Sequence, residues 1–441
     1  MDSLPPGQPP LAPPMRHPPL QSFGSRVAAI CLVALLLRAA FIGYVPRQPD
    51  HVDDSYFYHG AGVSIAQGNG YRAPSTGALT AGWPPGYPFL LGGAYRAFTN
   101  SPWTAKWLNV ILGVASVALL ALAARRHFGP RAALLAAALL AAYPAHIYFT
   151  ALVMTETLFA FLLTLAWYAV GGLAPSVRSA VVLGLLAGYA TLVRGEALLL
   201  PLAYCAYWRA GQPSWRKPLI LTAVAWLVLA AAVAPWTFRN YHVMGAFVPL
   251  NTYSSDALWA AHHEGAKGAF SYDFALAERY VKERPQQAEL HFTAEERRIV
   301  LRFMRDHPID ELRLIPRKLL LLSQGDADVV SRWIQTTRGD GFLLSGIQLT
   351  WFRFVADFYY YALLSAAATG LWLAWRRDAR PVAPLAFFAA LLAVWLFMHG
   401  WLFFGESRYH LPLMPFLITL AAAGIDELWR AVALVRARAP G

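Results

Sequence analysis

Acidic residues are scarce in this chain, 25 in 441 residues, and several stand where charge is costly. Asp50, Asp53 and Asp54 crowd into "PDHVDDSYFYHG", just past a long apolar run. Glu156, Arg194, Glu196, Asp357, Glu406 and Arg408 lie within or at the outer ends of other apolar runs, and Arg38 lies in the outer half of the first. Tyr409 and His410 follow Arg408 directly. A carboxylate within reach of a hydroxyl can take its proton. A guanidinium stays charged and grips an oxyanion with a planar fork. An ionisable group at the centre of a spanning helix costs at least about 2.5 kcal/mol, so each needs a reason. Singly, such a charge snorkels to water. Jointly, these charges point to a polar cavity on one face of a membrane.

The elements that must position them are helices. The chain is 57% hydrophobic and 14% charged, against about 25% charged in soluble domains. Its apolar runs are continuous rather than alternating, and many approach the ~20 residues that cross a bilayer. The expected fold is therefore an all-α polytopic membrane protein of about ten spans. These fall near residues 25–45, 102–124, 131–149, 152–171, 178–194, 196–208, 218–237, 346–375, 382–403 and 410–429. Residues 84–98 are apolar but short, as an interfacial helix would be.

The net charge of +12 lies in short basic clusters between the runs, a topology signal rather than a nucleic-acid surface. The clusters at 125–131, Arg178, 209–217, 376–380 and Arg430, Arg436 and Arg438 mark the cytoplasmic side, which receives both termini. Residues 1–24 form a proline-rich cytoplasmic tail. Residues 25–237 form an N-terminal transmembrane module with its first outer loop at 46–101. Residues 238–345 hold 14 of the 25 acids and read as a small mixed extracytoplasmic lobe, with "IPRKLLLLS" lying along the membrane. Residues 346–429 are the C-terminal spans, and 430–441 a basic tail. Cys31 and Cys205 sit in apolar segments as small core residues.

Six stretches carry a resemblance. "DDSYFYHGAGVSIAQGNGY" and the following "WPPGYPFLL" are similar to the first outer loop of GT-C glycosyltransferases. More specifically they resemble the branch containing the protein O-mannosyltransferases, the lipid A aminoarabinose transferase and related bacterial core-sugar transferases. "PAHIYFTALVMTETLFAFLL", "TLVRGEALLLP", "PWTFRNYHVMGAFVPLNT" and "GESRYHLPLMPFLI" resemble later stretches of that branch, in the same order. The resemblance spans about residues 25–428. It implies a polyprenyl-phosphate sugar donor, a lipid, glycan or protein acceptor, chemistry on the outer face of the cytoplasmic membrane, and a catalytic aspartate in the first outer loop.

Inverting transfer needs a base for the acceptor hydroxyl and positive charge for the departing phosphate. Asp53 and Asp54 are adjacent and cannot both point at one site, so one is the base and the other an N-cap. Both stay candidates, with Asp50 a weaker third. Arg194 and Arg408 are candidates for the phosphate, and Arg239 is a third that reads equally as an interfacial anchor beside Trp236. Tyr58, Glu156, Glu196, Tyr409 and His410 are expected around the pocket. Glu156 with His262 and His263 is a weak candidate set for a divalent metal, and a solvated histidine pair fits those two better. "DAD" at 326–328 reads as a loop. The rival reading is a transporter or flippase for a lipid-linked sugar. Transporters often show internal repeats and midplane charges, whereas here no repeat is seen and the charges lie at the outer rim.

Overall fold

The computed structural model describes residues 20–45, 49, 54–271, 288–334, 344–375 and 382–438. Asp50, Asp53 and the basic stretch 376–380 lie outside the described residues. Among the described residues the chain is helical, and its one extended pairing is an isolated bridge between Arg72 and Leu79. Among the described residues the expected mixed lobe has helices joined by turns and loops, and no strand.

The stretch after α1 (Leu20–Tyr44) carries α2 (Asp54–Ala66) and α3 (Gly86–Ala97). Next come α4 (Pro102–Ala142), α5 (Pro144–Tyr148), α6 (Glu156–Gly171), α7 (Val177–Val193), α8 (Leu200–Ala210) and α9 (Arg216–Met244). The lobe supplies α10 (Tyr253–Ala261), α11 (Ala288–Asp306) and α12 (Pro308–Leu322). The chain then returns to the bundle through α13 (Gly346–Trp375), α14 (Val382–Phe397) and α15 (Met414–Arg438). By length and composition, five of the described segments suffice to cross a membrane: Phe23–Tyr44, Pro102–Ala142, Arg216–Met244, Val382–Leu402 and Ser407–Ala433. The expected span 102–124 and most of the next, 131–149, whose remainder falls largely in α5, join in α4. Gly129 breaks that helix with φ 85°, a conformation glycine adopts without penalty, and Pro130 supplies no backbone N–H there.

Lipid gives helices no hydrophobic reason to associate, so close packing must hold them. Small residues supply it. A Cβ on Gly184 of α7 would meet the Ala225 carbonyl of α9 at 2.6 Å, and one on Gly424 of α15 would meet the Cα of Gly370 in α13 at 2.4 Å. Arg38 does a different job from the one its position implied. It is fully buried and donates to the carbonyls of Ala141 at 3.0 Å and Leu140 at 3.3 Å, with His146 Nδ1 at 2.9 Å. Those carbonyls end α4, so Arg38 caps the negative end of a neighbouring helix instead of reaching a cavity.

The α13–α15 contact gives a direct test. Gly424→Leu is expected to cost about 1–3 kcal/mol or more by overpacking, read as earlier thermal unfolding in detergent. Gly93→Leu, whose added Cβ meets nothing within 4 Å, is expected to stay within about 0.5 kcal/mol of the parent.

Candidate active site

The charged residues gather where helices begin or end. Asp54 opens α2 and Glu156 opens α6. Arg194 stands just past α7 with extended backbone, φ −149° and ψ 128°, before the tight turn Gly195–Leu199 that carries Glu196. Glu406 is also extended, φ −154° and ψ 142°, and leads into the turn Ser407–Leu413 with Arg408 and Tyr409. Each break frees a polar side chain from its helix and lets it meet the others.

Glu156 joins the two arginines. Its Oε1 accepts from Arg194 Nη1 at 3.2 Å and lies 3.7 Å from Arg408 Nη1. Its Oε2 is buried and has no hydrogen-bond partner. Arg194 also donates to Glu196 Oε1 from Nη2 at 3.0 Å and Nε at 3.3 Å, and to Thr155 Oγ1 at 3.4 Å. Arg408 donates from Nη1 to Asp54 Oδ2 at 3.2 Å and from Nε to Glu406 Oε2 at 3.0 Å. Arg332 holds the other Glu406 oxygen at 3.2 Å. Both site guanidiniums lie 5.0 Å from the Tyr409 ring centre, a favourable cation–π distance. Trp395 Nε1 donates to the Tyr409 carbonyl at 2.7 Å and fixes that residue.

These groups line an open cavity of about 110 Å³. Asp54, Tyr58, Arg194, Glu196, Arg408 and Tyr409 face it, and Glu156 lies behind the arginines. The lining also includes Trp83, Asn251, Tyr253, Ser254 and His399, which the sequence did not single out. Trp83 stacks between Phe57 at 4.3 Å and Tyr253 at 4.7 Å, so one wall is aromatic. Trp83 sits in a quoted motif, but His399 and Tyr253 carry no local signal.

Other expectations land elsewhere. Arg239 donates to the carbonyls of Tyr71 at 3.0 Å and Thr80 at 2.5 Å, and its guanidinium lies 4.7 Å from the Trp236 ring. It ties down the loop between α2 and α3 and is not part of the cavity lining. His410 turns away from the cavity. Its ring nitrogens lie within hydrogen-bond distance of the Leu322 carbonyl and of Asp326, both at 2.9 Å. Asp326 accepts a second bond from Tyr143 at 2.6 Å and is buried, so the "DAD" stretch anchors the fold rather than merely linking it. His262 is taken by Glu311 at 2.8 Å and the Leu402 carbonyl at 2.9 Å, while His263 stacks on Trp259. Among the described residues no three of His, Cys, Asp and Glu gather to hold a metal ion. The candidate set of Glu156, His262 and His263 is therefore not assembled.

Residues 83–238 match a family model described as dolichyl-phosphate-mannose-protein mannosyltransferase. No curated protein matches the sequence. The fold is similar to that of the oligosaccharyltransferase AglB from Archaeoglobus fulgidus, solved with an inhibitory peptide and a dolichol-phosphate. The TM-score is 0.56 at 16% identity, over 95% of this chain and 52% of that one. It is also similar to apo ArnT from Cupriavidus metallidurans, with a TM-score of 0.54 at 15% identity, over 93% of this chain and 62% of that one. This chain thus spans about half the length of the oligosaccharyltransferase.

The lobe reaches the cavity through α10, which supplies Tyr253, Ser254 and Ala257. Glu289 of α11 fastens it, accepting from Thr80 Oγ1 at 2.9 Å, the Ala81 amide at 3.1 Å and Thr252 Oγ1 at 2.7 Å. Where α10 packs on α11, burial pushes the Glu296 carboxyl up to about 10, and neighbouring Asp256 adds to the shift. Burial likewise pushes Asp256 up to about 6. Acids raised on folding bind protons more tightly folded than unfolded, so their contribution is full at low pH and lost as pH rises. Stability in detergent is expected to fall between pH 5 and 8, and Glu296→Gln is expected to flatten that slope. A Glu296→Gln chain with the parent's pH dependence would contradict the assignment.

Proposed function

We propose that this chain, a multi-pass membrane protein with the GT-C fold, is a glycosyltransferase that moves a sugar from a polyprenyl-phosphate donor to an acceptor hydroxyl. Chemistry on the outer face of the cytoplasmic membrane is part of the same reading. The observation that carries it is the convergence of Asp54, Arg194 and Arg408 on one cavity at helix ends. The dolichol-phosphate held by the archaeal oligosaccharyltransferase of like fold agrees with a polyprenyl carrier.

In this reading the Asp54 carboxylate takes the proton of the acceptor hydroxyl as its oxygen attacks the anomeric carbon. The bond from that carbon to the phosphate oxygen breaks, and the phosphate leaves with the electron pair. Arg194 and Arg408 stabilise the charge that develops on it. A phosphate leaving group needs little help from a general acid, so one carboxylate and two guanidiniums suffice. A single displacement inverts the anomeric centre. Tyr58 and Glu196 contribute to the pocket wall, and Tyr253, stacked on Trp83, adds an aromatic ring to it.

Comparing lipids, glycans and glycoproteins from cells with and without the gene should reveal one missing sugar and its accumulated lipid-linked donor. With that donor and acceptor, the purified chain should catalyse transfer in detergent micelles. A transporter has no two sides to work between there, so failure in micelles despite donor binding would favour the transporter reading. Asp54→Asn should lower transfer at least about 100-fold with donor affinity little changed, because the amide is too weak a base. Asp53→Asn should keep most activity. Arg408→Lys should lose roughly tenfold, since a point charge lacks the planar fork. Full activity in Asp54→Asn would move the chemistry elsewhere.

A further inference from the structure

Both guanidiniums at the site are already committed to carboxylates. Arg194 spends three contacts on Glu196 and Glu156, and Arg408 is shared by Asp54, Glu406 and Glu156. A phosphate entering the cavity must draw N–H donors away from these partners. Glu196 and Glu406 are 9% and 6% exposed, too dry for water to replace a lost arginine. A buried carboxylate stripped of its partner is strongly unfavourable. Each of these acids nevertheless has a second basic neighbour. Arg332 already holds Glu406 at 3.2 Å. His399 Nε2 lies 3.8 Å from Glu196 Oε1, the oxygen that Arg194 uses.

His399 is placed for such a role. It is 1% exposed, and neither ring nitrogen makes a hydrogen bond of good geometry, the Phe404 backbone being its one weak polar contact. Its ring stacks on Tyr409 at 4.6 Å and 20°, which sets its plane. It sits on the π-helical turn Met398–Leu402 that continues α14, and such turns occur often at functional sites. Its only charged approach to an acid is the gap to Glu196 among the described ion pairs.

We propose that His399 is a positioning residue that receives the Glu196 carboxylate when a donor phosphate takes Arg194. Neutral imidazole with its proton on Nε2 can make the bond, so the exchange requires no proton uptake. The gap closes by a small side-chain movement, and Arg194 turns its freed donors to the phosphate. Arg332 does the same for Glu406 when Arg408 is drawn. The inference rests on the donor reading above and adds how a site filled with ion pairs admits an anion.

The test is a double-mutant cycle on the solubilised full chain, with farnesyl phosphate, a short polyprenyl phosphate, as probe and affinity read by calorimetry. His399→Phe keeps the stack on Tyr409 but cannot donate. It is expected to weaken binding roughly tenfold or more, because Glu196 is left stranded. Adding Glu196→Gln removes the stranded charge, so the double variant should bind within about threefold of Glu196→Gln alone. His399→Gln, which keeps a donor, should bind close to wild type. Should the Phe variant not fold, His399→Leu repeats the cycle. Wild-type affinity in the His399 variant, or a loss that Glu196→Gln does not relieve, would overturn the inference. A purely structural histidine gives the second result. A wild-type chain that ignores the probe would instead remove the donor reading, and this inference with it.

Discussion

One constraint governs the architecture: a charge removed from water must be balanced where it lies. Glu156 meets it by placing one oxygen against both Arg194 and Arg408. These three residues come from the start of α6, the end of α7 and the segment before α15. Because each arginine then needs its remaining donors matched, Glu196, Glu406 and Asp54 are drawn to the same place. The ion pairs set the relative depth of the helix ends, and the small-residue contacts between spans let the helices come close enough. A bundle built of apolar runs alone would have no reason to choose this register.

Much of this was legible because apolar helices make charges conspicuous. Hydropathy located the helices, the cost of an ion in lipid flagged Glu156, Arg194, Glu196, Glu406 and Arg408, and the acid cluster just past the first apolar run flagged Asp54 before any contact was known. The same argument misdirected the reading of Arg38, since cost alone cannot distinguish a cavity from a helix terminus that needs donors. Arg239 and His410 sat in the right segments but face backbone carbonyls and Asp326. Direction is a property of rotamer and neighbour, not of position in the chain. Tyr253 and His399 were missed for the complementary reason. An aromatic or a lone histidine in an apolar stretch looks like ordinary packing until the fold brings an acid or another ring beside it.

The far wall of the cavity depends on a helix with unusual faces. Helix α12 buries Glu311 and Lys318 and exposes Ile309, Leu312 and Leu320. Its inner face supports the segment that carries His399 and Arg408. Lys318 Nζ donates to the Trp401 carbonyl at 3.3 Å, and His410 donates to the Leu322 carbonyl at 2.9 Å. A Cβ on Gly405 would meet the Lys318 carbonyl at 2.0 Å, so backbone lies directly on backbone there. The lobe is thus part of the scaffold of the site.

The placement of every charged site residue at a helix end bears on how such a chain can diverge over time. The middles of the spans need only stay apolar and keep their packing, so volume-conserving swaps among Leu, Ile, Val and Met are best tolerated there. Selection for chemistry falls instead on a handful of short segments at one rim of the bundle. Overall identity can therefore drift to a level at which whole-chain comparison finds little, while those rim segments hold their order and spacing. Specificity can also be retuned cheaply, because a change in a connecting loop alters a wall of the cavity without disturbing any span.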